Sequence, residues 1–334
     1  MSNQPTTDGY PALAPASTGM ETVVSIKQFS LLSDEPRPLS PVRRRLLNAA
    51  GEIAATEPDE FAFQHSLLCQ TYLPARRPKP DMLVWQRRQG RATLLVEAGR
   101  VMSPQANGFI QLGLPFGPGA RLLLMHLNSE AVRSGSPIIP VESSMTAFFR
   151  RIMGGDQNGR QVRTLKAQLS ALAAATFRMG IVDGDTALQV DSKVVSAFEL
   201  WSLTEEGQRV LWPATLRLSL DYFESLSRYA VPLDERAIAS LSHSAMALDL
   251  YVWLAQRLHR IPAGKGQFVP WASLMEQFGQ GYSAVRFFRR DFFVQLAQVR
   301  VAYPEATLDA DRRGLTLWQS QPPVRKRLVS LGPA

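Results

Sequence analysis

The feature that most constrains the fold is a succession of elements that the chain carries twice. In the second half, patterning predicts a short helix at 271–278, a turn at 279–281, a longer helix at 283–301 and then two short strands. In the first half, a helix that begins at Ser143, two adjacent glycines and a helix at 160–177 precede short alternating strands. Helices joined by a glycine-containing turn and followed by a β-ribbon are the order of a winged helix-turn-helix. The sequence therefore predicts a mainly α fold with small β-ribbons (α+β), built as tandem winged helix-turn-helix domains.

Composition divides the chain into four segments. A length of 334 residues is sufficient for two compact domains. The first segment is rich in Ser, Thr, Pro and Gly and lacks sustained periodicity, which is typical of a disordered arm. The predicted segments are a disordered arm at 1–38, a first winged-helix domain at 39–218, a second at 219–321 and a basic C-terminal tail at 322–334.

The remaining elements follow from apolar periodicity and from turn residues. Ser40 before Pro41 is typical of a helix start, and Gln89-Gly90 is typical of a hairpin turn. Further helices are predicted at 41–56, 59–70, 120–133, 219–228, 234–241 and 244–260. Strands are predicted at 82–87, 92–97, 138–141, 180–182, 187–190, 195–203, 211–218, 266–269, 307–309 and 315–318.

The charge balance favours polyanionic partners. Lys and Arg number 37 against 29 Asp and Glu, a formal net charge of +8. Such an excess suits nucleic acid or an anionic membrane surface, although many basic proteins bind neither. Cys69 is the only cysteine, which excludes an intrachain disulfide, and no histidine has another at metal-ligand spacing. No metal and no other cofactor are therefore expected.

The sequence also lacks the patterns that mark secreted and membrane proteins. The N-terminus has no basic region followed by an apolar one, so no signal peptide is expected. No stretch reaches the roughly 18 apolar residues that a transmembrane helix requires. We therefore expect a cytoplasmic protein without a membrane partner.

The helix at 283–301 has an apolar side and a basic side. At 100° per residue its apolar positions fall in one sector, which should face the core: Val285, Phe288, Phe292, Leu296 and Val299. The opposite side of its first half carries Ser283, Arg286 and Arg290, with Arg289 near the edge. A recognition helix presents this half to the major groove, where arginine pairs bidentately with guanine. The pattern predicts a base-reading helix, and the alternative is a solvated basic face.

The helix at 160–177 repeats this pattern with smaller residues. Its outward side carries Arg160, Arg163 and Thr164, with Lys166 on the flank. Alanine and serine further along the same side would allow close approach to a phosphate backbone or to a partner helix, as in a homodimer. Either role remains open.

The second hairpin provides the last candidate contacts. Arg312 and Arg313 fall at its tip, where a wing meets the minor groove or phosphates. No phosphate-binding loop, dinucleotide fingerprint, nucleophile elbow or paired-histidine motif is present. We therefore expect a binding protein without catalytic residues, and not an enzyme.

Six segments between roughly residues 60 and 300 form a long collinear pattern. They are Leu68–Pro78 (LCQTYLPARRP), Gly113–Ser134 (GLPFGPGARLLLMHLNSEAVRS), Ser143–Arg151 (SSMTAFFRR), Leu211–Leu226 (LWPATLRLSLDYFESL), Val231–Ile238 (VPLDERAI) and Leu248–Ile261 (LDLYVWLAQRLHRI). Together these segments resemble the plasmid-encoded RepA family of replication initiators. Family members commonly have an aromatic residue at the position of Ala75 and a tyrosine at that of Phe116, and both departures are conservative.

The resemblance implies functions that periodicity and charge do not. It implies binding of double-stranded DNA at repeated plasmid-origin sequences (iterons), opening of the DNA with the host initiator, and recruitment of the replicative helicase. It also suggests that the second module reads bases while the first holds the backbone or a second protomer. The main alternative is a winged-helix transcriptional repressor without a replication role. A nicking or strand-transfer enzyme is disfavoured because its histidine and acidic motifs are missing.

A short segment of the arm suggests one more partner. Gln28, Leu31 and Leu32 resemble the glutamine-and-leucine peptide with which bacterial proteins enter the pocket of the sliding clamp. Such a segment can dock in extended form. The alternative is an arm strand that packs on the first domain.

Overall fold

The computed structural model describes residues 39–103, 106–140, 147, 149–150, 159–183, 186–197 and 215–325. The predicted arm at 1–38, most of the helix that begins at Ser143, and the tail beyond residue 325 lie outside the described residues. The helices are α1 (Pro41–Ala55), α2 (Gly117–Ser134), α3 (Gly159–Ala174), α4 (Leu220–Tyr229), α5 (Glu235–Leu241), α6 (Ala245–Arg257), α7 (Trp271–Phe278) and α8 (Val285–Ala302). The strands are β1 (Phe61–His65), β2 (Val84–Gln89), β3 (Ala92–Glu97), β4 (Arg100–Ser103), β5 (Gly108–Gln111), β6 (Ile138–Pro140), β7 (Thr176–Asp183), β8 (Thr186–Lys193), β9 (Val195–Ala197), β10 (Thr215–Leu218), β11 (Ala230–Asp234), β12 (Gln267–Pro270), β13 (Leu308–Ala310) and β14 (Gly314–Leu317).

Mixed α and β structure with small antiparallel sheets confirms the predicted α+β class. Helix starts follow the expected capping chemistry, since the hydroxyl of Ser40 accepts a hydrogen bond from the backbone N–H of Arg43 at the start of α1. Ser219, Asp234 and Ser244 cap α4, α5 and α6 in the same way. These caps explain why most helix starts lie within a few residues of their predicted positions.

Two elements of the first half depart from the prediction. The helix predicted at 59–70 is wrong, because residues 61–65 form β1, which pairs antiparallel with β11 from Phe61↔Asp234 to His65↔Ala230. The helix predicted to reach residue 177 ends at Ala174, and the following residues enter β7. In both places a distant strand supplies the hydrogen-bond partner, and local periodicity does not encode that partner.

The two predicted hairpins of the first half form one sheet. The four-stranded sheet has the order β2-β3-β7-β8. The hairpin β2–β3 thereby joins the ribbon β7–β8 that follows α3, and Leu94 and Met179 form one of the paired positions. The β4–β5 hairpin was not predicted.

In the second half, α7, a glycine turn and α8 lie beside a small sheet. The sheet has the order β12-β14-β13, and all of its pairings are antiparallel. The order and positions of these elements match those read from the sequence. This half therefore holds two consecutive helices and a β-hairpin within one short stretch of chain.

A buried ion pair joins the two halves of the chain. Arg121 of α2 donates from Nε and Nη2 to the two carboxylate oxygens of Asp249 in α6, each at 2.7 Å. Helix α1 also packs on α5 and α8. The hydrophobic core consequently continues across the predicted boundary at 218 and 219. The division into domains stays a prediction.

Candidate nucleic-acid interface

A tight glycine turn positions α8 against α7. The backbone N–H of Gly279 donates to the carbonyl of Met275 at 2.7 Å, and a Cβ atom on Gly279 would lie 2.6 Å from that oxygen. Gly281 has φ of +87°, a value that side chains with a Cβ disfavour. Helix α8 begins at Val285, so Ser283 lies in the turn and not on the helix as predicted. The turn therefore requires glycine at both positions.

The predicted apolar side of α8 faces the core, with one exception. Phe288, Phe292, Leu296 and Val299 are fully buried. Val285 is 40% exposed, because it is the first residue of the helix and extends past the edge of the core. Its assignment to the buried sector was wrong.

The outward side of α8 carries two exposed arginines. The guanidinium of Arg286 lies 4.7 Å from the ring centre of Phe287. Arg290 is 71% exposed and donates from Nε to Asp291 at 2.9 Å. That hydrogen bond lowers the pKa of the Asp291 carboxyl, which also accepts from the hydroxyl of Tyr282 at 3.1 Å. Arg290 remains accessible despite this contact, because most of its side chain is in solvent.

Arg289 connects α8 to α7. Its guanidinium lies 4.8 Å from the ring centre of Trp271, a cation–π arrangement. Its Nε atom is buried and has no hydrogen-bond partner among the described residues. Arg289 is therefore fixed by stacking on an aromatic ring.

Trp271 also holds the hairpin tip. Its backbone N–H donates to the carbonyl of Arg313, and its indole N–H donates to the carbonyl of Asp311, both at 3.0 Å. The Asp311 carboxylate accepts from the backbone N–H groups of Gly314 at 2.8 Å and Arg313 at 2.7 Å. These bonds lower the pKa of Asp311. The tip is thus a closed, hydrogen-bonded turn.

The two arginines of the tip are exposed, and Arg313 also donates from Nε to the Asp311 carboxylate at 3.3 Å. Arg313 has an exposed side chain at 83%, and Arg312 is also exposed. Through Trp271, the start of α8 and the hairpin tip form one basic surface. We call this the α8–tip surface, and its members are Arg286, Arg289, Arg290, Arg312 and Arg313.

The candidates on α3 form a separate group. Arg160 and Arg163 are exposed, and the hydroxyl of Thr164 donates to the carbonyl of Arg160 at 2.9 Å. Lys166 is half-buried, and burial lowers its pKa to about 8. Helix α3 packs on α2 and β9, whereas α8 packs on α1, α5, α6 and α7. The two basic helices therefore belong to different parts of the core.

One basic residue near the start of α8 was not among the predicted contacts. Arg76 is exposed, and its charge acts on both Tyr282 and Asp291 at the start of α8. The signal was present in the sequence as the basic residues between the prolines of 74–80.

The described part of the chain holds no group of three His, Cys, Asp or Glu side chains suited to a metal ion. None of its helices combines the length and the apolar character that a membrane span requires.

Comparison with known proteins gives two similar solved structures and a family match over part of the chain. Two solved structures of RctB resemble the chain. A selenomethionine derivative of domains 2 and 3 is 10% identical, with a TM-score of 0.47, and the match covers 75% of this chain and 96% of that one. A second structure of domains 2–3 is 10% identical with a TM-score of 0.45, covering 75% and 94%. No curated protein matches the chain. The family described as plasmid-encoded RepA protein matches residues 114–273, a little under half of the chain, which confirms over these residues the resemblance read from the sequence.

Proposed function

We propose that the protein is a cytoplasmic plasmid replication initiator that binds repeated duplex DNA sites at an origin. The family match supports the initiator role. The observation that carries DNA binding is the α8–tip surface, where Trp271 joins Arg289 of the helix to Arg313 of the hairpin. In this proposal α7 and α8 form a helix-turn-helix and the β13–β14 hairpin is its wing.

Within this surface, the residues have different roles. Arg286 and Arg290 lie one helical turn apart on the exposed side of α8, where they can reach guanine edges in the major groove. Arg312 and Arg313 on the wing bind phosphates or enter the adjacent minor groove. In this proposal Ser283, in the turn before α8, contacts a phosphate.

The first half contributes a second, weaker contact in this proposal. Arg160, Arg163, Thr164 and Lys166 of α3 bind the DNA backbone, or the same face holds a second protomer. Because phosphate contacts carry no sequence information directly, this module adds affinity and fixes orientation. The host initiator and the replicative helicase are the partners that follow from the initiator role.

Footprinting on the plasmid origin tests the proposal. We expect protection of direct repeats of about twenty base pairs, a spacing of about two helical turns that places successive molecules on one face of the duplex. Protection of a single inverted repeat at a promoter would instead favour the repressor. Absence of protection on origin DNA, with the protein folded, would reject the initiator role.

We also propose that the protein binds DNA without cutting it. Supercoiled origin plasmid incubated with the protein and magnesium should remain supercoiled. Nicked circles that appear with the wild-type protein, and not with a heat-denatured sample, would establish the nicking enzyme instead.

The arm segment around Gln28 is proposed as a sliding-clamp ligand. Replacing Leu31 and Leu32 with alanine should abolish retention of the protein on immobilised clamp. Unchanged retention of this variant would remove the clamp from the proposal and leave DNA binding untouched.

A further inference from the structure

The stretch from Pro74 to Pro80, which we call the connector, begins against the helix-turn-helix of the second half. The ring of Tyr72 stacks on that of Phe278 at the end of α7, with ring centres 5.0 Å apart. The side-chain amide of Gln277 donates to the hydroxyl of Tyr72 at 3.1 Å and to the carbonyl of Gln70 at 3.4 Å. The chain therefore enters the connector while attached to the helix that precedes the turn into α8.

The other side of the connector is fixed to α2. Arg121 donates from Nη2 to the carbonyl of Leu73 at 2.7 Å and from Nη1 to that of Pro74 at 3.2 Å. The backbone N–H of Gly117 donates to the same Pro74 carbonyl at 2.9 Å. Because three prolines restrict the backbone in addition, the connector is held in place before any ligand arrives.

This fixed segment presents positive charge to solvent. Arg76, Arg77 and Lys79 are exposed, and the guanidinium of Arg77 lies 5.5 Å from the ring centre of Phe116. The connector itself contains no acidic residue, and Asp81 follows it. Its charged side chains are thus available to an anion.

One of these basic residues, Arg76, lies near the start of α8. The hydrogen bond from Arg290 is the main cause of the lowered pKa of Asp291, and the charge of Arg76 adds to it. Tyr282, in the turn before α8, is also within the electrostatic reach of Arg76. The connector and the α8–tip surface therefore form neighbouring basic regions.

We infer that the connector is a third DNA-contacting element, in which Arg76, Arg77 and Lys79 bind phosphates of duplex DNA beside the segment that α8 reads. The inference rests on the proposed function. An extended chain rises about 3.1 Å per residue, so the segment from Arg76 to Lys79 spans about 9 Å. That length corresponds to two to three nucleotide steps of one strand, each of which rises about 3.4 Å along the duplex axis. Because the segment is already ordered, binding costs little conformational entropy.

Salt dependence on a 30-base-pair duplex of random sequence tests the inference, because phosphate contacts do not require the specific site. The slope of log K against log salt should flatten by about 0.9 for Arg76→Ala or Arg77→Ala, and by about 2 for the double variant. The affinity of the double variant should be weaker by roughly tenfold or more at 0.1 M salt. The variant with both Arg76→Lys and Arg77→Lys should keep the wild-type slope, because a point charge is sufficient to bind a phosphate.

Arg228→Ala is the matched control, since Arg228 is an exposed arginine on α4, a helix that packs on β1, β8 and α2. Thermal midpoints equal to that of the wild type establish that the variants are folded. If the double alanine variant has the same slope as the control, the inference is overturned and the proposed function is unaffected. A wild-type protein that binds no duplex overturns the inference together with the proposed function.

A tethered cleavage reagent locates the contact. Cys69 is fully buried, so a cysteine introduced by Arg77→Cys is the residue that the reagent modifies. On footprinted origin DNA, cuts should appear at one flank of the segment protected by α8. Cuts within the protected segment, or none above the level of the treated wild type, would contradict the assignment.

Discussion

The guanidinium of Arg289 in α8 lies 4.8 Å from the ring centre of Trp271, the first residue of α7. The same tryptophan receives the hairpin tip, because its two N–H groups donate to the carbonyls of Asp311 and Arg313. One aromatic residue therefore fixes the relative position of helix and wing. The spacing between their exposed arginines depends on a side chain that carries no charge.

Trp271→Leu should weaken DNA binding without removing any charge. It removes both the stacking on Arg289 and the indole hydrogen bond, which together hold the helix and the wing in one arrangement, so we expect a loss of roughly tenfold in affinity from the lost preorganisation. Trp271→Phe keeps the aromatic face and should lose less. Fluorescence anisotropy on origin DNA measures both. Equal affinities for the leucine variant and the wild type would show that the wing position does not depend on Trp271.

Arg286→Ala and Arg290→Ala should reduce specific binding more than nonspecific binding. Each removes a bidentate donor from the exposed side of α8, so we expect a loss of about 1–3 kcal/mol on the origin repeat. Binding to random duplex should fall less, because phosphate contacts elsewhere remain. Parallel titrations with the two DNAs make the comparison. Equal losses on both would contradict the assignment of α8 as the base reader.

Lys166→Ala should weaken binding to all duplexes alike and flatten the salt dependence. Because burial lowers the pKa of Lys166 to about 8, its charge is present at pH 7 and decreases as the pH rises through that value. The difference between wild type and variant should therefore shrink between pH 7 and pH 9. A difference that stays constant over this range would exclude the titration of Lys166 as its source.

The stability of the fold should decrease in mild acid because of His65. Its Nδ1 accepts from the backbone N–H of Leu67 at 3.2 Å, which leaves the proton on Nε2, 2.9 Å from the hydroxyl of Ser225. Burial lowers the pKa of His65 to about 4, below its usual 6.5. Between these values the unfolded chain binds a proton that the folded chain does not, so stability falls as the pH falls.

Urea denaturation between pH 7 and pH 4.5 measures this dependence. The loss should approach about 1.4 kcal/mol per pH unit and reach about 3 kcal/mol at most. His65→Asn should flatten the dependence, while His259→Gln, at an exposed histidine, should preserve it. If the pH dependence of stability persists in His65→Asn, it arises from other groups.

Asp249→Ala should destabilise the fold by about 3–5 kcal/mol, because it leaves the buried charge of Arg121 unpaired. Replacing both residues, with Arg121→Met and Asp249→Leu, should recover part of this loss. Recovery should be incomplete, since Arg121 also donates to the carbonyls of Leu73 and Pro74. Chemical denaturation compares the three proteins. An Asp249→Ala variant as stable as the wild type would contradict a stabilising role for the ion pair.

The second half was predicted well because its signals are local. Phe288, Phe292 and Leu296 follow helical spacing, and the glycines before α8 mark a turn whose geometry needs them. The positions of α7, α8 and the hairpin tip could therefore be predicted, together with the exposure of Arg286 and Arg290. The stacking of Arg289 on Trp271 could not, because it depends on how α7 and α8 pack.

The first half was harder to predict because its strands pair over long distances. β1 was predicted as part of a helix, since its partner β11 lies in another part of the sequence. The basic residues of the connector were visible, but their position beside α8 results from the contact between Tyr72 and Phe278. Lys166 was predicted to lie on the flank of its helix, and its partial burial depends on tertiary packing.

The pairing of β1 with β11 has a consequence for biosynthesis. His65 lies opposite Ala230, so β1 has no partner until the ribosome has added 165 further residues. Contacts of such high sequence separation slow folding and leave strand edges unprotected in nascent chains. During translation β1 therefore stays unpaired until β11 has been synthesised. In that interval it is exposed to chaperones and to other nascent chains.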